Sequence, residues 1–246
     1  MLLAVDVGNS KMAIALFDGA RLVRVERRSS AGLGAESLAD FLRQSFPEMP
    51  SQIVLGTVVP AAADAFRAAA DLLAIPITVI DATNVPVAMR GPVVEEVGPD
   101  RVINVVAARE RLTPPFLVID IGTAITFDAV AADGAFVGGA IAPGPGIAAD
   151  ALHARTARLP PIDWAVPPSA IGTTTRAAMQ SGVVIGYVGL VDGLARRIKA
   201  EVGGGRPVPC IATGGLAAMF APLCAEIDFV DPELTLHGLR LCVERA

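Results

Sequence analysis

The chain has 246 residues, of which 53% are apolar, 18% charged and 4% aromatic, and 20 basic against 25 acidic residues give a formal net charge of −5. This composition excludes a disordered chain, which needs low hydrophobicity and high net charge. It also argues against a nucleic-acid groove, where counterion release requires clustered Lys and Arg.

In chain order, residues 3–19 (LAVDVGNSKMAIALFDG) read as a β-hairpin: an apolar strand, Asp-x-Gly, small polar residues, then a second apolar strand ending at an Asp-Gly turn. A third strand is expected over 21–28, a helix over 36–45, a strand over 52–59, a helix over 61–73, a strand over 76–81 and a helix over 99–111. Residues 117–134 (LVIDIGTAITFDAVAADG) then repeat the opening hairpin, with Asp120 standing 114 residues after Asp6. A third strand near 134–141, helices near 146–156 and 173–202, a strand at 210–213 and a helix from about 232 complete the second half. The Pro-rich stretch 159–168 reads as a surface connection. The alternation predicts an α/β fold of two duplicated domains, 1–115 and 116–246, each a mixed sheet opening with a β-hairpin and flanked by helices. The longest uncharged run, 207–225, is broken by Pro207, Pro209, Gly214, Gly215 and Pro222, so no spanning helix is expected there. Met1–Val5 is too short for a signal segment, and a soluble cytoplasmic protein is the expectation.

Several chemistries lack their residues. Cys210, Cys224 and Cys242 show no CxxC spacing and read as reduced core residues. The two histidines, His153 and His237, are far apart and suggest no zinc site, and His153 and Trp164 read as packing or surface residues. Neither GxSxG nor GxxxxGK[ST] occurs. What remains is Asp6-Val7-Gly8-Asn9-Ser10-Lys11. Gly8 lets backbone N–H groups approach a ligand, Asn9, Ser10 and the turn amides can donate to phosphate oxygens, and Asp6 can hold Mg²⁺ through water. Alone, this is equally an ordinary turn. The second copy, Asp120-Ile121-Gly122-Thr123, and a Gly214-Gly215 turn after the strand at 210–213 make a nucleotide grip the stronger reading. Asp128 is a reserve cation ligand or a hydrogen-bonded anchor.

Two Asp-x-Gly hairpins followed by a Gly-Gly turn resemble the sugar-kinase, actin and heat-shock-chaperone superfamily, which implies actin-like (ribonuclease H-like) domains and ATP held between two phosphate loops. Four further segments resemble type III pantothenate kinase: Gly98-Pro99-Asp100-Arg101; Gly138-Gly139-Ala140-Ile141-Ala142-Pro143-Gly144; Gly172-Thr173-Thr174-Thr175 with Gln180-Ser181-Gly182; and Asp231 to Leu239 (DPELTLHGL). The resemblance spans residues 2 to about 240. It implies ATP-dependent phosphorylation of pantothenate to 4′-phosphopantothenate, the first step of coenzyme A biosynthesis, by a cytoplasmic homodimer without nucleic-acid or membrane partners. It further implies Asp100 as general base, and Gly98, Pro99, Arg101 and Thr175 at the substrate. Residues Asp6 to Lys11 would form the first phosphate loop, Thr123 would contact ATP, Gly214 and Gly215 would lie against adenosine, and Asp120 would bind a monovalent cation, potassium or ammonium. The chain departs from the family pattern in three places: Gly91 stands where a Tyr is usual, Val94 where a Pro is usual, and the first loop reads GNSK where GNTN is commoner, so that Lys11 replaces an amide. Other expectations for the chain are a non-catalytic regulator or a kinase for a different small alcohol.

Overall fold

The first strand, β1 (Leu2–Val7), is apolar on both faces because both are covered. It forms an antiparallel meander with β2 (Lys11–Asp18) and β3 (Arg21–Ser29), and β4 (Gln52–Thr57) and β5 (Ile77–Ile80) extend the sheet in parallel, in the order β3-β2-β1-β4-β5. The computed structural model describes residues 1–32, 34–156 and 159–244. Helices α1 (Ala35–Ser45) and α2 (Pro60–Leu73) bury Leu38, Leu42, Phe66 and Ala69 against Leu3, Val5, Val7, Ile53 and Leu55 on one sheet face. Period-2 alternation sends Asp6 to the other face, beside its β4 partner Gly56. Helix α3 (Pro99–Ala108) packs on that face: a Cβ added to Gly56 would stand 2.9 Å from Ile103 Cδ1.

The second sheet repeats this plan. β6 (Phe116–Ile121), β7 (Ala124–Val130) and β8 (Phe136–Pro143) form the meander, and β9 (Cys210–Thr213) and β10 (Phe229–Val230) run parallel to β6, in the order β8-β7-β6-β9-β10. Between β8 and β9 lie α4 (Pro145–Arg155) and the 29-residue α5 (Thr175–Gly203), and the short α6 (Ala217–Phe220) follows β9. Val184, Val191 and Ala195 of α5 bury Leu117, Ile119, Ile121, Ile125 and Phe127. By length and composition alone, α5 is the one helix among the described residues apolar enough to cross a membrane. One face of it packs on the second sheet, and polar contacts tie it to the segment after α6, with Lys199 paired to Glu226 at 3.3 Å and Asp192 accepting from the backbone N–H groups of Ala225 and Glu226. Cys210, Cys224 and Cys242 are buried, and burial pushes the Cys224 thiol up to about 12.

The last helix, α7 (Leu234–Glu244), differs from expectation in its allegiance. The chain divides into one unit of Met1–Arg111 with Glu233–Ala246 and a second of Leu112–Pro232, so α7, expected in the domain 116–246, belongs with the first sheet. The reason is a close helix–helix contact: a Cβ on Gly238 would stand 2.2 Å from the Ile103 carbonyl oxygen, so only glycine lets α7 lie directly on the α3 backbone. Leu234, Leu236, Leu239 and Leu241 are buried in this packing. The two-residue β10 was not expected either. Its side chains are exposed and carry no alternation to read.

Candidate active site

In the first unit the turn after β1 closes with the Gly8 N–H donating to the Lys11 carbonyl at 2.9 Å. Asn9, Ser10 and Lys11 are exposed, and Asp6 is half-buried at the strand end. Two residues brace this loop that the sequence reading did not single out. The Thr57 hydroxyl donates to the Val7 carbonyl at 2.9 Å, and the Ser30 N–H donates to the Ser10 carbonyl at 3.2 Å. Asp100 stands in the first turn of α3, after Gly98 at the cap and Pro99 at the first helical position. Its Oδ1 accepts the Arg101 N–H at 3.0 Å. A Cβ on Gly98 would meet that oxygen at 2.6 Å, so the missing side chain decides where the carboxylate rests. Burial raises the Asp100 pKa above the ordinary carboxylate range, against the lowering effect of the Arg101 N–H and guanidinium. A half-buried carboxylate of raised proton affinity at a helix start is suited to accept a proton.

In the second unit the sequence motifs converge. The Gly122 N–H donates to the Ala124 carbonyl at 2.9 Å, closing the second hairpin. The Gly144 N–H donates to the Thr123 carbonyl at 2.9 Å, and a Cβ on Gly144 would lie 2.2 Å from the Gly122 oxygen and 2.4 Å from the Thr123 oxygen. Gly214 has φ +94°, and its Cβ would meet Asp120 Oδ1 at 2.3 Å and the Ile121 carbonyl oxygen at 2.7 Å. The Leu216 N–H donates to that same Ile121 oxygen at 3.0 Å. Glycines at 144 and 214 therefore let two distant chain segments pack backbone to backbone on the second hairpin, at Gly122 and Thr123 and at Asp120 and Ile121. One carboxylate among backbone oxygens suits a weakly held cation rather than zinc, and the described residues contain no group of three or more His, Cys, Asp and Glu placed for a metal.

Thr175 lies elsewhere in this unit. Thr174 caps α5, its hydroxyl accepting the Ala177 N–H at 3.2 Å, and Thr175 lines an apolar groove of about 950 Å³ with Leu152, Ala178, Met179 and Tyr187. At the other end of that groove the Tyr187 hydroxyl donates to the Pro143 carbonyl at 2.9 Å, beside Gly144. Twelve residues of helix separate Thr175 from Tyr187, about 18 Å at 1.5 Å per residue, so the structure does not bring Thr175 to the second hairpin of its own unit. Gln180 and Ser181 act as latches: they donate to the carbonyls of Asp163 and Ala170 at 3.0 and 2.6 Å, fixing the Pro-rich connection. Asp128 is fully buried and accepts the Thr126 hydroxyl at 3.0 Å, the arrangement of an anchor. His153 is exposed and its Nδ1 meets the Leu159 carbonyl at 2.7 Å.

Comparison with known proteins adds the decisive observation. The family model for type III pantothenate kinase matches residues 2–197. The chain belongs to the type III pantothenate kinase family. Type III pantothenate kinases from Thermomicrobium roseum and Moorella thermoacetica are 42% and 41% identical to it over 257 aligned residues, covering 100% of this chain and 97% and 99% of theirs. Among solved structures, a Baf family transcriptional activator from Campylobacter jejuni superposes with a TM-score of 0.64 at 18% identity, over 99% of this chain and 98% of that one. A 2-dehydro-3-deoxygalactonokinase protein from Sinorhizobium meliloti does so with 0.58 at 15% identity, over 100% and 99%. These structural likenesses show the actin-like fold. Gly91 has a φ of +104°, a conformation that would strain a Tyr there.

Proposed function

We propose that this protein phosphorylates pantothenate to 4′-phosphopantothenate with ATP and Mg²⁺, the entry to coenzyme A biosynthesis. Family membership over the full length carries this reading, and Asp100, half-buried at the start of α3, is the observation in this chain that supports its chemistry. In the mechanism, the Asp100 carboxylate takes the proton of the acceptor hydroxyl. The oxygen so freed bonds to the γ-phosphorus, the bond to the β-phosphate oxygen breaks, and ADP leaves. Arg101 holds the acceptor, Gly98 and Pro99 shape its turn, and Thr175 contacts pantothenate. The turn amides of residues 6–11, with Asn9, Ser10 and Lys11, bind phosphate oxygens, Thr123 does so from the second hairpin, and Gly214 and Gly215 lie against adenosine. Asp6 would hold Mg²⁺ through water and Asp120 a potassium or ammonium ion, and these cations supply neutralisation of phosphate charge. Phosphoryl transfer relies on such positioning and charge stabilisation more than on covalent help from the protein.

Homodimerisation is part of the same reading. Ile141, Ile147, Leu152, Trp164, Ile171 and Ile185 are exposed apolar side chains of one unit, and a second copy of the chain would cover them. A cytoplasmic location follows from ATP as donor. The Gly91 conformation favours one further reading, a different small alcohol as acceptor. An ADP-release assay with ATP, Mg²⁺ and potassium, with and without pantothenate, tests the proposal. Pantothenate-dependent release is the expected outcome. Release with another alcohol alone would replace the substrate, and no release with any alcohol would favour a non-catalytic regulator.

A further inference from the structure

Of the segments shared with the family, Asp231 to Leu239 has no role in the site so far. The structure gives it one. Asn104 stands one helical turn after Asp100, on the same stripe of α3, and is 1% exposed. Helical side chains lean towards the N-terminus, so Asn104 leans towards the turn that carries Asp100. Its Oδ1 accepts the Thr235 hydroxyl of α7 at 2.7 Å, while its Nδ2 is buried without a partner. One residue earlier, the Ile103 carbonyl faces the bare Cα of Gly238, where a Cβ would stand at 2.2 Å. α7 therefore grips α3 twice, through backbone contact at 103 and a single hydrogen bond at 104, directly behind the catalytic turn. An apolar pair would pack this helix contact without leaving a buried donor unpaired. Such breaches of local economy collect at functional positions.

We propose that Thr235 and Asn104 are positioning residues for Asp100: docked by Gly238, the Thr235 hydroxyl pins the Asn104 amide, and with it the first turns of α3, on the sheet face from which Asp6 projects. The inference rests on Asp100 being the base. Full-length Thr235→Val and Thr235→Ser proteins, assayed with ATP and pantothenate, test it. Thr235→Val should lose kcat roughly 10- to 100-fold, the scale of a small misplacement of a catalytic group. The KM for ATP should stay within about twofold, since transition-state positioning and not nucleotide binding is disturbed. Thr235→Ser, which keeps the donor, should restore kcat. A Thr235→Val enzyme with normal kcat and only a lowered melting temperature would overturn the proposal, as would equal losses in the Val and Ser variants. If Thr235→Val does not fold, Asn104→Ala, which leaves no buried amide behind, is set against Thr235→Ser and read in the same way. Asp100→Asn separates the two claims. Full turnover in that variant removes the base reading itself, whereas an inactive Asp100→Asn beside a normal Thr235→Val removes only the positioning pair.

Discussion

The loop of the first hairpin is one residue longer than that of the second. Val7 pairs with Met12 across residues 8–11, and Ile121 pairs with Ile125 across residues 122–124. The longer loop presents exposed Asn9, Ser10 and Lys11 and is braced from behind by Thr57 and Ser30. The shorter one is enclosed by Gly144 and Gly214, whose backbones press on Thr123, Ile121 and Asp120. One sheet plan thus supports two solutions. The first unit places its chemical groups on an exposed loop and a half-buried helix start, and the second builds its groups into close backbone packing. Substitutions in the first should change rate with little effect on stability, and those in the second should change stability first.

The largest effect is expected at Asp100. Asp100→Asn should lower kcat ~10²–10⁴-fold, the usual contribution of a positioned general base. Burial raises the folded-state pKa of Asp100, so its contribution to stability is fully present below its unfolded value and is lost as pH rises through the folded value. At neutral pH the Asn variant should therefore melt no lower than the parent, and the acid limb of the parent's kcat/KM should lie above the usual Asp pKa of about 3.9. A marked drop in melting temperature would break the contrast between the units. Next come Gly144→Ala and Gly214→Ala, whose added Cβ atoms collide with backbone or with Asp120. Each should cost roughly 1–3 kcal/mol as an overpacked site, read as about 2–4 °C of melting temperature per kcal/mol. Gly8→Ala should leave melting unchanged, because its Cβ would lie at an ordinary 3.5 Å from the Lys11 oxygen, and should raise the KM for ATP by obstructing approach to the turn amides. Lys11→Ala should have the smallest effect, a rise in KM for ATP that is visible at low salt and fades as screening shortens the reach of an exposed charge.

Much of this was legible in the sequence because it is local. Apolar strands followed by Asp-x-Gly announce both hairpins, and Pro99 after Gly98 announces the start of α3. Thr235 and Asn104 are 131 residues apart, and Gly144 and Gly214 meet the second hairpin only through the fold, so no periodicity reveals them. Tyr187 was the lone Tyr on an expected helix; its bond to Pro143 is likewise invisible until α5 is laid beside β8. The allegiance of α7 was hidden for a related reason. Its buried leucines state that it needs a partner, and only the bare Cα of Gly238 against Ile103 states which one.

That allegiance has a consequence for biosynthesis of the chain. The unit that begins at Met1 is interrupted at Arg111 and resumes at Glu233, with the whole of Leu112–Pro232 inserted between. A ribosome delivers the inserted unit complete while the first still lacks its last helix. The α3 face that α7 covers must wait until residues 233–244 have been made, after the whole inserted unit.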